Sequence, residues 1–170
     1  MKIETFILRG WEDPETGYVI EENEEWVLVK HIPVDYVIDG YKLYRKFYIE
    51  SREAPEDAEQ IARVLQLKNV KGNKPSTFQF LDTVGLLLWV ESRYDLFEFQ
   101  DEEQEELFYG KIHQVEKDRL TIDLVHADGR EEPAYDNEFE LSEIRSITFE
   151  SDYHLSMCLL WKDRLKADGL

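Results

Sequence analysis

Hydrophobic and polar positions along this chain keep a two-residue period through most of its length and give way to helical segments at three places. Lys2 to Trp11 alternates loosely through Ile3, Phe6 and Leu8 and predicts a first strand. Glu12 to Gly17 is turn chemistry, since Pro14 presets φ and Gly17 accepts a positive one. Tyr18 to Ile20 begins a second strand, Glu21 to Glu24 turns, and Glu25 to Ile32 makes a third. In that third strand Trp26, Leu28 and Lys30 alternate with Val27, Val29 and His31, so both faces are partly apolar. Such a pattern suits a strand inside a small barrel. Pro33 ends it, and Asp39-Gly40 between β-prone residues predicts a tight hairpin. From Tyr41 to Ile49 the alternation puts Tyr41, Leu43, Arg45, Phe47 and Ile49 on one face. Lys42, Tyr44, Lys46, Tyr48 and Glu50 fall on the other.

The period changes at Ala54-Pro55-Glu56-Asp57, where proline and acids suit a first helical turn. Ala58, Ile61, Ala62 and Leu65 then form a helical stripe. Val70 to Pro75 reads as a linker and divides the chain into residues 1–72 and 73–170. Beyond it, Ser76 is a cap for a short helix from Thr77 to Asp82, while Gly85 to Arg93 and Asp95 to Gln100 are strand-like. The acidic run Asp101 to Glu106 reads as a solvated loop. Leu107 to Val115, Arg119 to His126 and Phe139 to Glu150 supply further strands, with a loop from Ala127 to Pro133. Ser151-Asp152 caps a final helix reaching about Lys166.

The two halves write one order twice. Gly17 and Gly110 stand 93 positions apart, Trp26 and Leu120 stand 94 apart, and Ile49 and Phe149 stand 100 apart. The expected architecture is therefore mainly β (α+β): two tandem small β-barrels, each followed by a helix. Asp118 to Val125, the Asp128-Gly129 turn and Leu141 to Ser151 resemble uncharacterised bacterial proteins with Sm-like or SH3-like barrels. Asp35 to Tyr41 is similar to the matching segment of the first copy. The resemblance implies a barrel fold and brings no catalytic set with it. Leu65 and Trp161, one on each closing helix, are the expected contact between the halves, with charged pairs at the rim.

Composition narrows the function. A formal charge of −18 and a pI near 4.5 disfavour phosphate backbones and anionic membrane surfaces. The excess is uneven, net −5 over residues 1–72 and net −13 over residues 73–170. Val84 to Val90, the longest apolar stretch, is too short to span a bilayer, and the N-terminal run lacks the form of a secretory signal. The single cysteine, Cys158, lies in an apolar run as an inert buried thiol. A cytoplasmic location is expected.

No catalytic set emerges. His31, His113, His126 and His154 are scattered without metal-ligand spacing, the serines lack a nucleophile elbow, and the glycines form no phosphate loop. Neither a catalytic residue nor a cofactor or metal is expected. One stretch rises above background, Tyr41 to Tyr48, where basic residues interleave with aromatics. Lys42, Tyr44, Arg45, Lys46 and Tyr48 form the candidate contact surface. The expected function is a non-enzymatic interaction or scaffold module with a protein partner. The alternative is an Sm-like RNA binder working through the same strand.

Overall fold

The computed structural model describes residues 1–132 and 137–169. The chain opens with β1 (Lys2–Leu8), β2 (Glu15–Glu22), β3 (Trp26–His31) and β4 (Tyr41–Arg45). A 3-10 turn over Lys46–Tyr48 leads to β5 (Ile49–Glu53) and then α1 (Ala58–Leu67). The second half runs α2 (Thr83–Tyr94), β6 (Phe97–Gln100), β7 (Phe108–Glu116) and β8 (Arg119–Val125). Then come β9 (Glu131–Glu132), β10 (Glu138–Glu140), a 3-10 turn over Leu141–Glu143, β11 (Ser146–Phe149) and α3 (Asp152–Ala167). Of the expected loop from Ala127 to Pro133, Glu131–Glu132 pair with β8 as β9, and Pro133 lies outside the described residues. No described helix is long and apolar enough to cross a membrane.

The strands form one open antiparallel sheet of eleven, ordered β10-β8-β7-β6-β11-β4-β3-β2-β1-β5, with β9 beside β8. This overturns the expectation of two small closed barrels, each followed by a helix. Closing the first half would require β4 to return to β5, but β4 pairs with β3 and β11, and β5 pairs with β1. The edge left free by one half is spent on the other. The final helix α3 follows the strands of the second half as expected, but residues 77–82, expected as a short helix, are not helical, and α2 begins just after them. Outward from the β4–β11 seam, strand order within each half is β4-β3-β2-β1-β5 and β11-β6-β7-β8-β10.

The seam is sealed on one side by a core that draws on both halves. Trp26, Leu28, Tyr41 and Leu43 from the first half meet Phe97, Phe99, Ile147 and Phe149 from the second under α2. Each fully buried side chain of this size contributes roughly 1.5–3 kcal/mol. Helix α2 replaces the strand expected over Gly85 to Arg93. Its buried residues Thr83, Leu86, Leu87 and Val90 follow helical spacing, and the Asp82 side chain caps the helix by accepting from the Gly85 amide at 2.7 Å.

Leu65 and Trp161 do not meet across the halves. Leu65 packs with Ile3, Ile32 and Ile61, while Trp161 packs with Leu96, Tyr109, Val125 and Met157. The seam is a hydrogen-bonded ladder, so helix-to-helix contact is not what joins it. Asp39-Gly40 also acts across the halves, where a local hairpin was expected. Gly40 has φ +70°, and a Cβ there would collide with the Glu150–Ser151 backbone. Beside it the Asp39 carboxylate accepts from the Asp152 amide at 2.8 Å, at the start of α3.

Candidate functional site

The sequence-derived contact residues lie on β4 and the turn after it, at the middle of the sheet. All five residues of β4 are buried. Their side chains alternate between faces, and each face engages them within the protein. Lys42 is 5 % exposed, and its ammonium donates to the Glu15 carboxylate at 3.0 Å. The Tyr44 hydroxyl donates to the same oxygen at 2.9 Å, His31 Nε2 lies 3.0 Å from it, and Gln104 donates to the other oxygen at 3.1 Å. Burial opposes ionisation of Glu15, but Lys42 and then His31 outweigh it and hold this carboxyl well below the usual range. A buried carboxylate held by four such partners is a structural anchor.

On the opposite face, Arg45 donates to the Ile144 and Leu141 carbonyls at 2.8 and 2.9 Å. It also donates to the Thr83 hydroxyl and to Glu25, both at 2.7 Å, and its guanidinium lies 4.6 Å from the centre of the Trp26 ring. One side chain thus ties β3 and β4 to α2 and to the 3-10 turn of the other half. Lys46 pairs with Glu22 at 3.3 Å. Tyr48 is 5 % exposed, and its hydroxyl donates to the Ser142 carbonyl at 2.7 Å.

A second buried acid lies along the same face as Lys42. In register across the sheet, Glu98 on β6 neighbours Thr148 on β11, which neighbours Lys42 on β4. The Tyr109 hydroxyl donates to Glu98 at 2.6 Å. Burial pushes Glu98 up to about 7, with the Tyr109 bond and the Lys42 charge opposing that rise. His154, on the buried face of α3, accepts from the Glu150 amide at Nδ1 and lies 2.8 Å from the Leu96 carbonyl at Nε2, which is therefore the protonated nitrogen. With both ring nitrogens occupied it is no base for Cys158, whose thiol burial pushes up. Among the described residues no cluster of histidine, cysteine or acid has metal-holding geometry.

Where the two 3-10 turns come together, the surface opens. A cleft of about 670 Å³ is lined by Glu24, Glu25, Arg45, Phe47, Tyr48, Ser142 and Glu143, from both sides of the seam. Two of the five sequence-derived residues, Arg45 and Tyr48, contribute to it; Lys42, Tyr44 and Lys46 do not. Phe47 is the residue that sequence reading passed over. It is 69 % exposed, packs edge-on against Tyr48 at 5.1 Å, and lies 5.2 Å from the Arg9 guanidinium. Strand alternation places Phe47 on the core face, but the chain leaves the strand at Lys46. The 3-10 turn rotates the ring outward instead. The proximity of the next strand, beginning at Ile49, is the signal that a turn had to intervene.

The cleft sets two aromatics, Phe47 and Tyr48, beside the exposed carboxylates of Glu24, Glu25 and Glu143. Arg45 is committed to Glu25, Glu24 has no ion pair among the described residues, and Glu143 reaches Arg145 only at 3.9 Å. Such a cleft can bind by apolar contact and charge. No protein-family model, curated protein or solved structure matches the chain.

Proposed function

We propose that the protein is a non-enzymatic interaction module that docks a protein partner in the cleft at the seam. The observation that carries this reading is Phe47, a large aromatic left exposed beside a cleft assembled from both halves. Exposed aromatics in concave surfaces are the residue type on which binding energy concentrates. The buried acids support the same reading, since Glu15 is saturated with donors and Glu98 is closed off beneath α3. A role for β4 in RNA binding has less support. Lys42, Arg45 and Lys46 each already face a carboxylate, which a phosphate would have to displace.

Site-specific photocrosslinking tests the proposal in cells that make the protein. A crosslinker at Phe47 should yield a discrete protein adduct that one at Leu88, 48 % exposed on α2, does not. The same protein should co-purify with the parent chain and be lost from Phe47→Ala. Identical products from both positions, or unchanged co-purification, would contradict the reading.

A further inference from the structure

The cleft beside Phe47 does not end at the seam. Glu143 lines it and also lines a second cleft of about 360 Å³ that holds Asp101, Glu102, Glu138 and Glu140. Glu102 lines that second cleft and a third of about 230 Å³, formed with Glu12, Asp13, Glu103 and Glu105. Successive clefts share a lining residue, so they lie side by side on the surface, with the aromatic at one end and carboxylates beyond it. The counter-charges of this acidic band are Arg45, paired with Glu25 at 2.7 Å, Arg119, paired with Glu138 at 3.0 Å, and Arg145, 3.9 Å from Glu143, so the carboxylates lining the three clefts outnumber them. An acidic band by itself is a solvated surface. Here its position next to the aromatic cleft gives it direction, with an anchor at one end and an excess of carboxylates beyond it.

Resting on the reading of the seam cleft as a docking site, we infer that its occupant is a cationic peptide segment. An apolar or aromatic side chain of that segment would lie against Phe47 and Tyr48, and its lysines or arginines would follow the band past Glu143 and Glu102. Charge complementarity selects this partner over the alternatives. A nucleic acid or an anionic membrane would meet the band with like charge, and a neutral segment would leave it unused. The chain's net charge of −18 draws the same class of partner from a distance.

Three synthetic peptides of equal length, each with one central tryptophan, test this. Their remaining positions are lysine and arginine, serine and glutamine, or aspartate and glutamate. Binding is followed by fluorescence anisotropy, and its location by amide chemical shifts of the labelled full chain. The cationic peptide should bind, shifting Phe47, Tyr48, Ser142 and Glu143 together with residues 101–102. Phe47→Ala should weaken it by about tenfold. Glu24→Gln with Glu143→Gln should weaken it several-fold, and so should high salt. Phe47 and both glutamates are exposed, so these variants are expected to fold, and their dispersed amide spectra verify it. Equal binding of the neutral peptide at Phe47 would overturn the cationic preference while leaving the docking cleft intact. Cationic binding that ignores Phe47→Ala and maps elsewhere would reduce the effect to bulk charge attraction and overturn the inference. Absence of shifts at the cleft with all three peptides would overturn the inference and count against the docking site as well.

Discussion

The two faces of the sheet at its seam are equally dry and held in opposite ways. On one, the register row Phe99–Ile147–Leu43–Leu28 is wholly apolar and lies under α2. On the other, the neighbouring rows read Glu98–Thr148–Lys42–Val29 and Gln100–Ser146–Tyr44–Val27. The polar face is closed by the loops around Trp11 and Gln104, with the Trp11 indole donating to the Asp101 carbonyl at 2.9 Å and Gln104 exchanging bonds with the Asp13 backbone. The apolar face gains from burial itself. The polar face is tolerated because nearly every group finds a partner, as Glu15 does with four donors. What looks in sequence like an adhesive basic-aromatic strand is therefore an internal polar network, and the exposed adhesive residue is one that alternation assigns to the core.

The largest expected effect lies on the apolar face. Phe97 is fully buried in the core shared by both halves, so Phe97→Ala should cost about 3–5 kcal/mol by chemical denaturation. A loss under about 1 kcal/mol would mean that this core does not hold the seam. On the polar face, Lys42→Met removes one charged donor and leaves Glu15 with three. It should cost about 2–3 kcal/mol, and adding Glu15→Gln should restore most of that, because the unpaired buried charge is then gone. If the double variant is less stable than the single one, the network contributes more than compensation.

Acidity separates the two buried glutamates. Glu15 has its folded pKa depressed, so its contribution is present above the ordinary carboxylate range and is lost as pH falls through and below it. Glu98 behaves in the opposite sense. Its value rises from 4.5 to about 7 on folding, so its stabilising effect is complete below 4.5 and is lost as pH rises through 7. Glu98→Gln should therefore be more stable than the parent at pH 8 by about 3 kcal/mol, with the advantage fading towards pH 4. Equal stability of the two proteins at both pH values would show that Glu98 is not confined as described. Smallest of all, Phe47→Ala should change stability by less than about 0.5 kcal/mol, since the ring is mostly solvated. A larger loss would make Phe47 a scaffold residue and weaken its role as an anchor.

Local chemistry was readable where it was self-contained. The helix at Ala58–Leu67 and the final helix capped by Ser151, which accepts from the His154 amide at 3.0 Å, follow from period and capping alone. So do β3 and the neighbouring β7 and β8. Helix α2 is ambiguous in sequence because Val84 to Val90 is apolar throughout and suits either period; the Thr83, Leu86, Leu87, Val90 stripe and the Asp82 cap resolve it. The seam left no local trace. Tyr41 to Arg45 has the pattern of a barrel strand and of a mid-sheet strand alike, and only the match to Ser146–Phe149, a hundred residues away, decides between them. The site followed the fold: once β4 lies in mid-sheet, Lys42 and Tyr44 are enclosed and the turn at Phe47 becomes the accessible point.

Amide hydrogen exchange across the seam tests the central claim most directly. The Arg45 amide donates to the Arg145 carbonyl at 2.8 Å, and β4 is flanked on both sides by strands. In one continuous sheet, the amides of β4 and β11 should exchange only by global unfolding and share the highest protection in the chain. Fast exchange at Arg45, beside slow exchange on β2 and β3, would show β4 to be a free edge and would remove both the seam and the cleft built upon it.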